Sequence, residues 1–268
     1  MSIIINNWRQ FARVTVETGD IDPMYFLMNG MDKSYRERFA THFFMFYHAG
    51  EAAKCAGETT NGTFWDYVLK NYDSCRRGTE RRHFRGDKGK QAIMAMKMIG
   101  SPNQIWEEMY APDLSRLTEK IRSKFKGCQI GPYFIWKAMD ILDRCMDLPV
   151  NLRLSEAVKG MPEEPFKCAR TLWPNLSVEK ALALVTDEIK DLPAPGAIGK
   201  KCGYAEAETV LCMIKGFFLT KSHTIGDDVE EKYYQLRDYP ELHKYLPARL
   251  DWTQYVRAPD LNLTALSL

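Results

Sequence analysis

Arg76, Arg77, Arg81, Arg82 and Arg85, with Lys88 and Lys90, crowd one short glycine-punctuated segment, SCRRGTERRHFRGDKGK. Guanidinium groups are permanently charged and grip phosphate oxygens in forked pairs, so this density suits a polyanion such as pyrophosphate or a DNA backbone. A solvated charge run is the commoner origin of such a segment, although two Arg pairs separated by Gly-Thr-Glu differ from the usual Lys/Glu mixture.

A second candidate lies in KFKGCQIGPYFIWKAMDILDRCMDLPVNL, from Lys124 to Leu152. A helix ending at Gly127, the turn CQIGP and a new helix from Tyr133 resemble a helix-hairpin-helix element, whose glycine turn lets backbone N–H groups meet a nucleic-acid phosphate. Lys137, Asp140 and Arg144 follow at steps of three and four and so share one helix face beside the turn. An ordinary helix-helix turn with a solvated face accounts for the same spacing.

KSHTIGDDVEE joins His223 to Asp227 and Asp228 across Gly226. A carboxylate can orient an imidazole and raise its pKa, which makes a general base; a helix start capped by Asp227 is the commoner use of such a cluster, and the two roles can coexist. In FFMFYHAGEAAK, His48 reads as a satisfied core histidine, while Tyr47 and Glu51, four apart, can line a pocket.

The elements that must carry these groups are helical. IDPMYFLMNG sets Asp22 as N-cap, Pro23 at the first helical position, Ile21 as a staple onto Phe26 and Gly30 past the end. Phe39, Phe43, Phe46, Tyr47, Gly50 and Ala53 recur at helical steps, which predicts one long buried helix from Tyr35 to Glu58. Thr63 with Asp66 makes a variant capping box, Ser101 and Pro102 open another helix, and Leu114, Leu117, Ile121 and Phe125 form an inward stripe with Arg116, Lys120, Arg122 and Lys124 outside. Further stripes run through Val178, Leu182, Val185 and Ile189, and through Tyr204, Ala207, Leu211, Ile214 and Phe218. Between them DLPAPGAIGKKCG is the most loop-like stretch, either a linker or a site-lining loop. Strand-like alternation is confined to NNWRQFARVTVE, so the expected class is mainly α.

At 268 residues, with 45% hydrophobic and 12% aromatic residues, the chain can bury a substantial core; the expectation is a single helical catalytic domain over 1–268 with two lobes meeting near 100–130. The net charge of +2 identifies no partner by itself. Seven scattered cysteines lack the paired spacing of a zinc or iron–sulfur site and read as reduced, mostly buried thiols of a cytosolic protein. The apolar run in MSIIINNWRQ is broken by Asn6, Asn7 and Arg9 long before membrane-spanning length, so no membrane role is expected.

Five stretches in order, IDPMY, FFMFYHAGEA, RRGTERR, IGPYFIWKAMDILDR and SHTIGDDVEE, resemble the bacteriophage amino acid:DNA transferases and the related glutamyl/putrescinyl-thymine pyrophosphorylases, which look like relatives of helix-hairpin-helix DNA glycosylases. The resemblance covers most of the chain, and it implies a helix-hairpin-helix DNA glycosylase-like helical fold. It implies as substrate a thymine-derived base in double-stranded DNA, hydroxylated on its methyl carbon and pyrophosphorylated, from which a free amino acid or polyamine displaces pyrophosphate. The setting would be the cytoplasm of an infected bacterial host.

The flagged residues take roles on that resemblance. Arg76, Arg77, Arg81 and Arg82 would clamp the leaving pyrophosphate, and Asp140, then Asp227, then His223 would be the candidates to accept the amine's proton. Lys124, Lys126 and Gly131 would hold DNA. Asp22, Tyr25, Tyr47, Trp136 and Lys137 would form the pocket for the flipped base or the amine, with Lys137 matched to an amino acid's carboxylate. Pyrophosphate chemistry often recruits magnesium, but no dedicated ligand cluster stands out. Where glycosylases of this kind carry an essential Asp, the chain has Asn151, which disfavours base excision because an amide cannot act as a carboxylate does. A glycosylase of the same fold and a non-catalytic helical DNA-binding protein are the competing readings.

Overall fold

The computed structural model describes residues 3–78 and 84–258. In chain order the elements are β1 (Ile3–Ile5), α1 (Trp8–Glu17), α2 (Pro23–Asn29), α3 (Lys33–Phe46), α4 (Ala49–Glu58), α5 (Phe64–Asn71), α6 (Gly86–Ile99) and α7 (Pro102–Met109). There follow α8 (Leu114–Lys124), α9 (Pro132–Cys145), α10 (Leu154–Gly160), α11 (Glu163–Leu172), α12 (Val178–Ile189), α13 (Tyr204–Ile214), α14 (Asp227–Gln235) and β2 (Tyr255–Arg257). The protein is mainly helical, as the periodicity predicts. No helix among the described residues is long and apolar enough to cross a membrane.

The chain forms two compact units. The first comprises Met1–Phe26, Leu152–Lys232 and Leu246–Leu268. Its core is built by α1, α11, α12 and α13, with Phe11 of α1 packed on Phe217 and Phe218 of the π-helical turn Lys215–Thr220 that continues α13. The strand-like reading of NNWRQFARVTVE is overturned: Trp8, Phe11, Ala12, Thr15 and Val16 are buried at helical spacing, and the Asn7 side chain caps the first turn by accepting the Gln10 N–H. Strand structure falls instead to Ile3–Ile5, paired in parallel with Tyr255–Arg257. DLPAPGAIGKKCG folds back on itself through an antiparallel bridge between Pro193 and Lys201. Gly196 there has φ +68° and sits so close to the Tyr25 carbonyl that a Cβ would fall 2.5 Å from it.

The second unit comprises Leu27–Asn151 and Tyr233–Tyr245. Here α3 packs on α4, α7 and α9, and α8 packs on α7 and α9. Leu114, Leu117, Ile121 and Phe125 are all buried, so the predicted stripe of α8 is its inward face. The predicted long helix over 35–58 is two helices. Tyr47 adopts the left-handed conformation (φ +56°) and ends α3, and His48 starts α4 by accepting the Glu51 N–H on Nδ1. A periodic apolar stripe cannot register such a break, because Phe46 and Ala49 remain buried on either side of it. The variant capping box at Thr63 is absent: its hydroxyl accepts the Thr60 N–H, and Asp66 pairs with Lys97. Ser101 behaves as expected, its N–H donating to Gln104 Oε1 at 2.9 Å.

None of the seven cysteines forms a disulfide, and six are buried.

Candidate functional site

The first unit holds a compact carboxylate–imidazole cluster. Asp20 follows α1 and is fully buried; its carboxylate accepts N–H bonds from Gly226 (2.8 Å), Asp228 (3.1 Å) and Val229 (3.2 Å). Those N–H groups open α14, where unsatisfied donors and the helix dipole favour an anion. Asp20 is thus the cap of α14, a role the sequence assigned to Asp227. Asp227 instead turns back and accepts the Thr224 N–H and hydroxyl at 2.6 and 2.7 Å. Gly226, at φ +97°, is pressed against the Trp252 ring, and a Cβ there would lie 2.1 Å from it.

His223 stands between two of these carboxylates. Its Nε2 lies 3.6 Å from Asp20 Oδ2, and its Nδ1 lies 3.8 Å from Asp227 Oδ2. Burial works against charge on the ring but is outweighed by Asp20, Asp228 and Asp227, so the pKa is raised above the usual histidine value. Burial first, and the Asp20 charge second, push Asp228 up to about 6. An imidazole so placed can take a proton and keep it stabilised. Of the residues flagged in sequence, the structure brings His223 and Asp227 together here. Asp20 was missed; TGDID offers two acids two apart, and nothing in the sequence says which one reaches a helix about 200 positions later. Asp22 and Tyr25 lie at the start of α2 in this same unit, Tyr25 nearly buried at 5% exposure.

The second unit sets Arg76 and Arg77 beside the break between α3 and α4. Gly78 donates its N–H to Phe46 O at 3.0 Å and Phe84 donates to Met45 O at 3.0 Å, which fixes these two residues at the end of α3. Arg77 is committed to that fold. Its guanidinium donates to the carbonyls of Tyr72, Cys75 and Phe84 at 3.0–3.2 Å and stacks over the Tyr72 and Phe46 rings. A group with its donors on backbone carbonyls holds a loop, so the expected clamp role does not fit Arg77. Arg76 is half exposed and pairs through Nε with Glu51 Oε1 at 2.7 Å. Tyr47 and Glu51, expected to share one helix, stand on either side of the break. Arg81 and Arg82 lie outside the described residues. His48, expected as a core histidine, is buried and caps α4.

The hairpin between α8 and α9 is tied to the same region by Gln129, whose amide donates to Lys88 O at 2.9 Å, and by Phe134, packed on Phe44 and Phe84. The first helix ends at Lys124, three residues before Gly127, which takes φ +91°. Gly131 caps α9 and faces open space, with nothing within 4 Å of where a Cβ would be. Lys126 is exposed, and Lys124 pairs with Glu108.

Beyond the turn, the charged face of α9 is largely enclosed. It is not solvated: Asp140 is 4% exposed, the side chains of Lys137 and Arg144 are largely buried, Lys137 Nζ lies 3.4 Å from Asp140 Oδ2, and Arg144 pairs with Asp143. Amphipathic spacing placed these charges on one face, but the neighbouring apolar helices enclose that face. Trp136, expected to line a pocket, is a core residue at 1% exposure. Asn151, the departure from the glycosylase pattern, donates its N–H to Pro112 O at 2.8 Å beside Asp113. Among the described residues no group of three or more His, Cys, Asp and Glu side chains is arranged to hold a metal ion.

Comparison with known proteins sets these sites in a family. The sequence profile of the amino acid:DNA transferase family matches residues 6–219, a span that includes Asp20, the arginine segment and the hairpin. The chain is also similar to a putrescinyltransferase of Delftia phage PhiW-14, at 27% identity over 252 residues, covering 87% of this chain and 79% of that protein. The family match extends over most of the sequence, through both units, and the chain therefore belongs to the amino acid:DNA transferases.

Proposed function

We propose that this DNA-modifying transferase joins an amine to a pyrophosphoryloxymethyl-uracil base in double-stranded DNA and releases pyrophosphate. The observation that carries the reading is His223, set between Asp20 and Asp227 with its ring aimed at both. In the reaction the amine nitrogen attacks the methylene carbon while the carbon–oxygen bond breaks, and pyrophosphate leaves with the bonding electrons. The nitrogen then carries a surplus proton, which neutral His223 accepts; Asp20 and Asp227 stabilise the imidazolium that results. Asp140, buried beside Lys137, is the weaker candidate for that proton.

Charge accumulating on the leaving group calls for fixed cations. Arg76 is the described member of the clamp, with Arg81 and Arg82 assigned to it on sequence grounds. Gly131, with no side chain and open space before it, suits close approach of a DNA phosphate, and exposed Lys126 adds charge nearby in sequence; the assignment of this turn to the helix-hairpin-helix class is part of the proposal. Flipping of the target base belongs to it too; Asp22, Tyr25, Tyr47 and Lys137 take their base- or amine-binding roles in it on sequence grounds. A putrescinyltransferase among the relatives supports a polyamine as donor, and the family description supports an amino acid.

The test uses DNA carrying the pyrophosphorylated base, a mixture of amino acids and polyamines, and mass spectrometry of the digested nucleosides. A nucleoside gaining one amine, with pyrophosphate released in equal amount, is the expected result. Free base or abasic DNA would overturn the reading in favour of base excision, and unchanged DNA held tightly would leave a binding protein.

A further inference from the structure

In the second unit, α6 is fixed to the hairpin between α8 and α9 at two points. Gln129 of the turn donates its amide to Lys88 O at 2.9 Å, and a Cβ on Gly127 would lie 3.9 Å from the Ala95 Cβ. The inner face of α6 is closed, with Gly89, Ala92, Ile93 and Met96 buried. On the opposite side, one helical turn apart, Met94 is 54% exposed and Met98 is 86% exposed. Both leave a flexible apolar side chain in water, so the pair forms an apolar ridge beside the hairpin. The charge around that ridge is mostly of one sign. From Arg85 to Ile99 the chain carries four cations and one acid, Asp87, and from Leu114 to Gly131 it carries five cations and one acid, Glu119. Lys90, Lys97 and Lys124 are matched by Asp73, Asp66 and Glu108. Lys88, Arg122 and Lys126 are exposed and form no ion pair among the described residues.

Unmatched cations call for a polyanion, and an apolar ridge beside them calls for one with apolar surface between its charges. Duplex DNA has both, because its grooves are walled by sugars and base edges between two rows of phosphates. A symmetric contact between two copies of the chain would instead bring these cations towards their own counterparts. We propose that α6 is a second DNA-contacting element beside the hairpin: Lys88 joins Arg122 and Lys126 on backbone phosphates, while Met94 and Met98 pack against the wall of the adjacent groove. The two kinds of contact divide the affinity. Each phosphate neutralised releases counterions and makes binding salt-dependent, whereas a methionine buried on the groove wall contributes equally at all salt concentrations. The inference rests on the transferase reading in taking duplex DNA as the ligand.

The experiment is an anisotropy titration of unmodified duplex DNA with the full-length protein over a range of salt concentrations. Lys88→Gln is expected to reduce the slope of log affinity against log salt by about 0.9, the share of one phosphate contact. Met98→Ser is expected to weaken binding roughly tenfold at every salt concentration with the slope unchanged, and Met98→Leu to restore it. Both side chains stand at the surface, so both variants should melt with the wild type, which separates lost binding from lost fold. Wild-type affinity and slope in either Lys88→Gln or Met98→Ser overturn the surface. So does a dimer that Met98→Ser dissociates in sedimentation while its DNA binding is unchanged, because the ridge then belongs to a contact between copies. If the expected pattern appears but nothing is transferred to pyrophosphorylated DNA, the surface stands and the transferase reading falls. If transfer proceeds and both variants bind as the wild type does, the reading stands and the surface falls.

Discussion

Asp20 Oδ2 lies 3.6 Å from His223 Nε2, and the same carboxylate caps the first turn of α14. One buried side chain therefore fixes the backbone that follows His223 and faces its ring.

Replacing Asp20 with Asn keeps an acceptor for the helix but removes the charge. Transfer by Asp20→Asn should fall by about 100-fold, the low end of what acid–base assistance contributes, because His223 itself remains. Wild-type activity should rise with pH through the raised pKa of His223, because neutral imidazole is the reactive form. With Asp227 and Asp228 still facing the ring, the acidic limb of Asp20→Asn should move to lower pH. An unchanged limb in a pH–rate profile would separate His223 from the chemistry.

Asp228 makes a stability prediction of definite sign. Its pKa is raised in the folded protein to about 6, so protonation favours folding; this contribution is full below the ordinary Asp value near ~4 and is lost as pH rises through about 6. His223, also raised, carries the same sign at higher pH. Asp228→Asn should consequently be more stable than wild type at pH 7 by about 1–2 kcal/mol and indistinguishable from it near pH 4. Denaturant unfolding at both pH values measures the difference.

The two neighbouring arginines should separate by assay. Arg77→Ala removes three hydrogen bonds to carbonyls and two ring contacts, which should destabilise by about 2–4 kcal/mol, and Arg77→Lys should not restore the forked geometry. Arg76→Ala breaks a half-exposed pair and should alter stability by less than about 1 kcal/mol. Its effect should appear as a higher KM for pyrophosphorylated DNA.

Two glycines make a paired test. A Cβ on Gly78 would lie 2.1 Å from the Tyr47 carbonyl, so Gly78→Ala must displace backbone at the end of α3 and should destabilise by about 2–4 kcal/mol. Gly131→Ala meets nothing within 4 Å and should melt with the wild type. It should nonetheless bind duplex DNA more weakly in a filter-binding or anisotropy titration, because the methyl group occupies the space a phosphate would enter.

The sequence by itself determined the helical class, the stripes of α8, α12 and α13, and the stretches that mark the family, because these depend on spacing along a few turns. It singled out His223, Asp227 and the arginine segment because charged and titratable side chains are visible one at a time. It could not show the break at Tyr47, since apolar periodicity runs straight through a left-handed residue. It placed Lys137, Asp140 and Arg144 on one face but could not tell that other helices enclose that face. Only the tertiary structure chose Asp20 over Asp22 and set Arg77 to work inside its own loop. Each of these depends on a partner from another element, and which groups meet across such a distance is fixed by packing rather than by local pattern.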